Sequence, residues 1–140
     1  MTTIVYIGPI VNGKDGAGRV VVIQEGESCN VFGTFYDGSS AIAKTALATV
    51  TCDLFVESSG VSINSRKVQD ILDANNGVVS SGGELTLRLG PLDNIIVGTP
   101  DTEGYETHIL RITWTWNDGI AVRTGIQEIR LYIESLTTVT

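Results

Sequence analysis

His108 is the only histidine in the chain and is the first residue to consider for catalysis. A serine or cysteine nucleophile is usually activated by a neighbouring base, so such a mechanism would have to use His108 or a lysine. The histidine lies near the start of a predicted strand and shares its parity with Trp114 and Trp116. Alternate side chains of a strand point to opposite faces. We therefore expect His108 to be a packed or hydrogen-bonded structural residue, and we predict no enzyme activity.

Metal ligands are equally sparse. One histidine and two separated cysteines lack the paired ligand spacing of zinc sites. Acidic loops can offer oxygen ligands to calcium, but the loops of this chain do not follow the order of an EF-hand, and solvated loops are the simpler interpretation. We predict no metal and no other cofactor. The acidic residues considered are Asp15 in "NGKDG" and Asp101, Glu103 and Glu106 in "GTPDTEGYE".

Two cysteines in 140 residues are too few for a disulfide framework. Cys52 shares strand parity with Val50 and Leu54, which predicts a buried free thiol. Cys29 follows "QEGES" at a strand entrance, and it can pair with Cys52 only if the fold brings the two together.

The length and net charge of the chain limit the classes of partner that it can bind. The 140 residues suit one domain, residues 1–140, and include sixteen acidic and nine basic side chains, for a net charge of -7. This charge repels nucleic acid and anionic lipid.

The glycine-rich "GKDGAGR" (13–19) lacks the ending of a phosphate-binding loop. The apolar runs are shorter than the roughly 20 residues of a membrane span, and "MTTIVYIGPI" lacks the features of a signal peptide. We predict a soluble protein with no nucleic-acid or membrane partner.

The segment "ITWTWNDGIAVRTG" (112–125) decides how the aromatic residues are interpreted. The tryptophans share parity with aliphatic residues, so they are predicted to anchor a core rather than to bind a ligand. The predicted core anchors are Leu110, Ile112, Trp114 and Trp116. The opposite face is polar and is the candidate interaction face, with Arg111, Thr113 and Thr115 on one strand and Arg130, Tyr132 and Glu134 on the next.

Alternating apolar residues predict strands throughout the chain. The predicted strands are "TIVYI" (3–7), "RVVVI" (19–23), "NVFGTFY" (30–36), "KTALATVTCDLFVE" (44–57), "GELTLRLG" (83–90), "NIIVG" (94–98), "YETHILRITWTW" (105–116) and "TGIQEIRLYIESL" (124–136). The last two are predicted to form a long hairpin around Asn117-Asp118-Gly119.

One segment departs from this pattern. In "NSRKVQDILDANNG" (64–77), Val68, Ile71 and Leu72 fall on one helical face between possible caps, which predicts one short helix. Many strands with one short helix predict an all-β, antiparallel β-sandwich, immunoglobulin-like or alternatively jelly-roll-like.

The stretch from "DLFVESSGVSINSRKVQDILDANNG" through "LGPLDNIIV" to "ETHILRITWTWNDG" and "QEIRLYI" resembles small structural proteins of tailed bacteriophages. The resemblance covers about residues 50–136 and leaves the glycine-rich N-terminal strand region, residues 1–45, uncovered. It implies a sandwich domain of the virion, assembled in the host bacterial cytoplasm, and no active-site residue.

The function expected is therefore a capsid decoration protein that binds the head shell. A neck or head–tail completion protein is the alternative. The partners would be the major capsid protein, or portal and connector proteins, with the chain in a homo-oligomer or symmetric array. A candidate from another class is a glycan-binding adhesin module that uses outward aromatic residues such as Tyr36, Tyr105 or Tyr132.

Overall fold

Ten β-strands make up most of the regular structure in the described part of the chain. The structure is a computed structural model that describes residues 3–10, 21–101 and 104–136. Short 3-10 turns lie at Lys44–Ala46 and Pro91–Asp93. The strands are β1 (Thr3–Ile10), β2 (Val22–Gln24), β3 (Cys29–Asp37), β4 (Ser40–Ala41), β5 (Leu47–Val56), β6 (Gln69–Asp70), β7 (Gly77–Val79), β8 (Glu84–Leu89), β9 (Tyr105–Asn117) and β10 (Val122–Glu134).

The strands form two sheets that enclose one core. The first sheet has the order β1-β3-β8-β7, with β4 paired to β3, and the second has the order β2-β10-β9-β5-β6. Buried residues of both sheets belong to a single hydrophobic cluster. The prediction of an all-β sandwich is confirmed, and its immunoglobulin-like or jelly-roll-like subtype stays a prediction.

The sheets are not wholly antiparallel, which corrects the sequence-based expectation. Strand β1 runs parallel to β3, and β2 runs parallel to β10. The chain leaves the first sheet after β1, adds β2 to the second sheet and returns to the first sheet as β3. On its return, β3 runs in the same direction as β1. Parallel neighbours need such long connections, whereas antiparallel neighbours can be joined by a tight turn.

Aromatic packing joins the two sheets. Phe35 of β3 lies against Trp114 of β9, with ring centroids 5.4 Å apart, and Trp114 stacks on Trp116 at 6.2 Å. Trp114 is fully buried and Trp116 is 6% exposed, while Leu110 and Ile112 are also buried. The structure therefore places all four predicted core anchors inside the sandwich.

The long hairpin of β9 and β10 has the register that this packing requires. It pairs Tyr105 with Glu134 at one end and Asn117 with Val122 at the other. Gly125 lies opposite Trp114, and a Cβ atom at Gly125 would be 2.4 Å from Cζ2 of the indole. Glycine at this position is thus a steric requirement of the buried ring.

The predicted helix at 64–77 is wrong. Val68 is 68% exposed and Ile71 is fully buried, so they do not share a buried face. The backbone follows strand β5 instead: the Ile71 N–H donates to the Val50 carbonyl, and the Leu54 N–H donates to the Arg66 carbonyl. These bonds are incompatible with helical pairing to the residue four positions earlier. Positive φ angles at Asn64, Ser65, Val68, Asp73, Asn75 and Asn76 complete the irregular path.

A buried ion pair fastens this irregular segment to the body of the fold. Arg66 Nε lies 2.6 Å from Asp93 Oδ1, and the two side chains are 3% and 2% exposed. Arg66 Nη1 also donates to Gln69 Oε1, and Asp93 accepts from Asn64 and the Gly90 N–H. Burying a charge is tolerated only with such complete pairing.

The predicted strand "NIIVG" (94–98) is also wrong. The N–H groups of Val97 and Gly98 donate to the two carboxylate oxygens of Glu106, at 3.0 and 2.7 Å. Asn94 is buried and donates to the Glu27 carbonyl. The Glu106 carboxylate therefore satisfies the N–H groups of Val97 and Gly98, which a neighbouring strand would otherwise pair.

Replacing Trp114 by alanine tests the central packing. We expect Trp114→Ala to lower the free energy of unfolding by about 3–5 kcal/mol, because it removes the ring that fills the space above Gly125 and beside Phe35. Denaturant unfolding measures the change. Thr113→Ala, on the outer face of the same strand, is the control and should cost well under about 1.5 kcal/mol. Equal losses in the two variants would contradict the assignment.

Candidate functional site

The outer face of the second sheet carries all six residues of the predicted interaction face. Arg111, Thr113 and Thr115 lie on it from β9, and the other three lie on it from β10. In the register of the hairpin these two groups do not lie opposite each other. The residues of β10 opposite Arg111, Thr113 and Thr115 are Glu128, Ile126 and Thr124. The predicted residues Arg130, Tyr132 and Glu134 instead lie beside Ile109, Thr107 and Tyr105, towards the other end of the hairpin.

One half of this face is charged, and both of its arginines are bound to carboxylates. Arg111 Nε donates to Glu128 Oε2 at 2.7 Å, and its guanidinium carbon lies 5.0 Å from the centre of the Phe55 ring. Arg130 Nε donates to Glu57 Oε2 at 2.8 Å. We call this half the ion-pair patch, and it consists of Asp53, Phe55, Glu57, Arg111, Glu128 and Arg130. Exposed pairs of this kind contribute little stability, but they leave these arginines already bound to carboxylates.

The other half is uncharged and lies next to the hairpin turn. We call it the threonine patch, and it consists of Thr49, Thr51, Thr113, Thr115, Val122, Thr124 and Ile126. The hydroxyls of Thr49 and Thr115 are 2.6 Å apart and hydrogen-bond across β5 and β9. Val122 is 65% exposed and Ile126 is 43% exposed. Two exposed aliphatic side chains therefore lie among the threonine side chains of this patch.

Several residues of this surface were not among the predicted site residues. Val122 and Ile126 share parity with Arg130 and Tyr132, so alternation along β10 could have placed them on the face. Thr49 and Thr51 belong to the polar parity of β5, but the neighbour of β5 could not be deduced from the sequence. The pairing of β5 with β9 brings them beside Thr115 and Thr113.

A cleft of about 480 Å³ opens at the turn end of the hairpin. Trp116 Nε1 donates to Asp37 Oδ2 at 3.1 Å, which ties the hairpin to the β3–β4 turn. Arg123 Nε donates to Asp118 Oδ2 at 2.7 Å. Hydrogen bonds from the Ala121 N–H, Arg123 and the Ile120 N–H lower the pKa of Asp118 to about 2. The cleft is lined by Tyr36, Asp37, Gly38, Trp116, Asp118, Arg123 and Thr124.

His108 lies in the core and not on either outer face. It is fully buried, and its Nε2 lies 2.7 Å from Glu106 Oε1. Burial lowers the pKa of His108, although the bond to Glu106 opposes the shift. Burial alone would raise the pKa of Glu106, but the N–H groups of Val97 and Gly98 and the bond to His108 outweigh it and lower that pKa. The pair therefore consists of a neutral imidazole and a carboxylate near neutral pH.

Both cysteines are free, buried thiols. Burial raises the pKa of Cys29 to about 11, and burial raises that of Cys52 to about 11 as well. Cys29 Sγ lies 3.8 Å from Asn94 Nδ2, whereas Cys52 Sγ lies 3.9 Å from Arg66 Nη1. The thiolate is the reactive form of cysteine, so neither side chain is activated as a nucleophile.

Two of the acidic residues considered as calcium ligands, Asp101 and Glu106, instead accept hydrogen bonds from backbone N–H groups. Asp101 Oδ1 accepts from the Tyr105 N–H, and Glu106 is buried against the loop at 97–98. Asp15 and Glu103, like the glycine-rich loop 13–19, lie outside the described residues. Within the described ranges, no three potential ligands form a metal-binding group. The same ranges contain no helix with the length and hydrophobicity to cross a membrane.

The fold is similar to that of the N-terminal domain of phage TP901-1 ORF48. The TM-score is 0.51 at 12% sequence identity, and the match covers 96% of this chain and 99% of that one. The two domains share a fold. The chain matches no protein-family model and no curated protein.

The buried histidine predicts a pH dependence of stability. Because the folded pKa of His108 is lowered, the unfolded chain binds a proton first as the pH falls below about 6.5. We expect the contribution of His108 to the free energy of unfolding to be constant above that pH and to decrease below it, by at most about 1.4 kcal/mol per pH unit. Glu106 acts in the same direction at lower pH, because its folded pKa is also lowered.

Urea unfolding between pH 7.5 and pH 5.5 measures the effect, where the pH values bracket the ordinary histidine pKa of about 6.5. The matched variant is His108→Gln, which keeps a hydrogen-bond donor near Glu106 but does not titrate. It should lack the decrease below pH 6.5, and the chain has no second histidine to replace it. The same slope in both proteins would show that His108 is not responsible.

Proposed function

We propose that the chain is a non-enzymatic structural protein of a tailed-bacteriophage virion, most specifically a capsid decoration protein that binds the head shell. The major capsid protein is then its partner, and the copies are arranged as a homo-oligomer or symmetric array. A neck or head–tail completion protein that contacts portal and connector proteins is the alternative. In either position the protein belongs to the virion and is assembled in the host cytoplasm.

The observation that carries this proposal is the fold shared with a phage domain over nearly the whole of both chains. It agrees with the resemblance of residues 50–136 to small structural proteins of tailed phages. The shared fold extends over almost the full chain and thus also includes the N-terminal region that the resemblance leaves out. Fold alone does not fix function, so the chemistry of the surfaces must also suit a structural role.

The potentially reactive side chains support a non-enzymatic role. His108 is fully buried and hydrogen-bonded to a buried carboxylate. Cys29 and Cys52 are buried with pKa values of about 11. A general base or nucleophile must reach a substrate atom, and none of these three side chains is accessible.

The outer face of the second sheet supports docking on protein rather than on nucleic acid. Its arginines Arg111 and Arg130 already bind Glu128 and Glu57. A protein that binds nucleic acid presents unneutralised basic groups to phosphates, and here the net charge is -7. The polar, partly apolar face of three long strands instead suits a contact with a virion neighbour.

Mass spectrometry of purified virions tests the proposal. In a phage whose genome encodes the chain, we expect the protein in virions at a copy number comparable to that of the major capsid protein. Heads made without the gene should bind the purified protein when it is added back. A copy number that fits a single ring would favour the neck position. Absence of the chain from virions, with no binding to heads or connectors, would refute a virion role.

A second candidate function is glycan binding, which the cleft at the hairpin turn favours. Tyr36 and the edge of Trp116 line it beside the carboxylates of Asp37 and Asp118 and the guanidinium of Arg123. Aromatic and charged planar groups of this kind suit a sugar. Tyr105 and Tyr132 pack edge to face at 6.3 Å and are half-buried, so they offer no open ring pair.

Glycan-array binding measures this second function. If it operates, Tyr36→Ala should abolish binding without changing the melting temperature, because Tyr36 lies at the cleft. Tyr105→Ala, on the outer face away from the cleft, is the matched control and should bind normally. An array without signal for the unaltered protein would remove this candidate.

A further inference from the structure

The turn of the β9–β10 hairpin presents one isoleucine to solvent on a firmly held backbone. Ile120 is 90% exposed. Asp118 Oδ1 accepts from the N–H groups of Ile120 and Ala121, both at 2.8 Å. Asn117 Oδ1 accepts from the Gly119 N–H at 2.8 Å, and the Asp118 N–H donates to the Ala121 carbonyl at 3.1 Å. The folded protein therefore already fixes the backbone at Ile120, so binding has only to order its side chain.

Ile120 and the threonine patch lie at the same end of the hairpin. Val122 follows the turn directly on β10, and Thr124 and Ile126 continue along the outer face. The charged residues nearest to Ile120 along the chain, Asp118 and Arg123, bind each other rather than projecting unpaired. The result is an uncharged surface with a protruding aliphatic side chain at its end.

We infer that Ile120 and the threonine patch form the docking surface of this protein, and that Ile120 inserts into an uncharged, apolar socket on a different virion protein. This inference rests on the proposed function and specifies which part of the outer face makes the contact. Buried side chains at the centre of an interface contribute most of its affinity, while polar and charged residues form the rim. The ion-pair patch then belongs to the rim or to the free surface.

The area of the patch argues against a second copy as the occupant. Three strands about 4.8 Å apart, with roughly six residues of each at about 3.4 Å per residue, span on the order of 300 Å². A stable interface of standard size buries about 800 Å² on each partner. If two copies met through this patch in a flat contact, the area buried on each copy would fall short of that value. A concave partner would also cover the sides of the turn and would therefore bury more area. Many copies on a symmetric shell would strengthen such a contact further.

Two depressions within the described part of the chain are also poor sockets for Ile120. The cleft at the hairpin turn contains Asp37 and Asp118, and a depression of about 200 Å³ on β3 and β8 contains Glu84. Insertion of an aliphatic side chain would remove water from these carboxylates, which is costly. Two copies would in addition bring together net charges of -7 each.

Aspartate substitutions at matched exposed positions test the inference. The test variants are Ile120→Asp and Val122→Asp. The controls are Leu92→Asp, on a turn and 65% exposed, and Val78→Asp, on a strand of the other sheet and 59% exposed. We expect each test variant to lower the number of copies per virion about tenfold or more, as for loss of a buried anchor. The controls should be incorporated normally, and all four should melt like the unaltered protein, because the replaced side chains are exposed.

The outcomes separate this inference from the proposed function. Absence of the unaltered protein from virions refutes the proposed function, and the inference is refuted with it. Normal incorporation of both test variants refutes the inference alone. Sedimentation velocity of the purified protein completes the experiment: we expect the unaltered protein and Ile120→Asp to have the same oligomeric state. A dimer that Ile120→Asp abolishes would overturn the assignment of a different protein as the partner.

Discussion

The contact between Trp114, Gly125 and Phe35 determines most of the structure. The indole fills the space left by the missing side chain of Gly125 and reaches Phe35 in the opposite sheet. It thereby fixes the register of β9 with β10 and the distance between the sheets, since a one-residue slip would turn every side chain to the other face. The composition of the outer face follows from this constraint. Once Trp114 and Trp116 point inwards, Thr113 and Thr115 must point outwards, and the pairing with β10 brings Ile126 and Thr124 beside them.

The opposite end of the sandwich depends on polar groups rather than on aromatic packing. Arg66 and Asp93 bind each other in the interior and hold two irregular segments in place of regular strands. Glu106 does the same for the loop at 97–98 through two backbone N–H groups. Replacement of one partner would leave a buried charge unpaired, which is more costly than the pair is stabilising. These segments therefore have well-defined positions without the repeated hydrogen bonds of a sheet.

The sequence predicts the elements whose side chains alternate and fails where a single side chain determines the backbone. Alternation around Trp114 predicts the strand, its buried face and the hairpin, because period two is a direct consequence of strand geometry. The spacing of Val68 and Ile71 fits a helix as well as it fits an irregular segment. Contacts with distant residues decide between the two: the ion pair of Arg66 with Asp93 and the backbone hydrogen bonds to strand β5. The same holds for "NIIVG", in which the N–H groups of Val97 and Gly98 donate to Glu106. Parallel pairing of β1 and β2, and the position of Thr49 beside Thr115, depend on strand order, which local patterns do not contain.

The threonine patch combines hydroxyl groups that water can bind in the free protein with a low cost of burial. A hydroxyl that loses water without a new partner destabilises a complex, whereas one that already has a partner within the chain does not. Thr49 and Thr115 bond to each other across the strands, so one of their two hydroxyl hydrogens keeps its partner when a neighbour covers them. The arginines of the ion-pair patch are bound in the same way, but burial would remove two charges from water for each pair. The free energy of docking thus favours the uncharged half of the face, and Ile120 adds apolar area where that half ends.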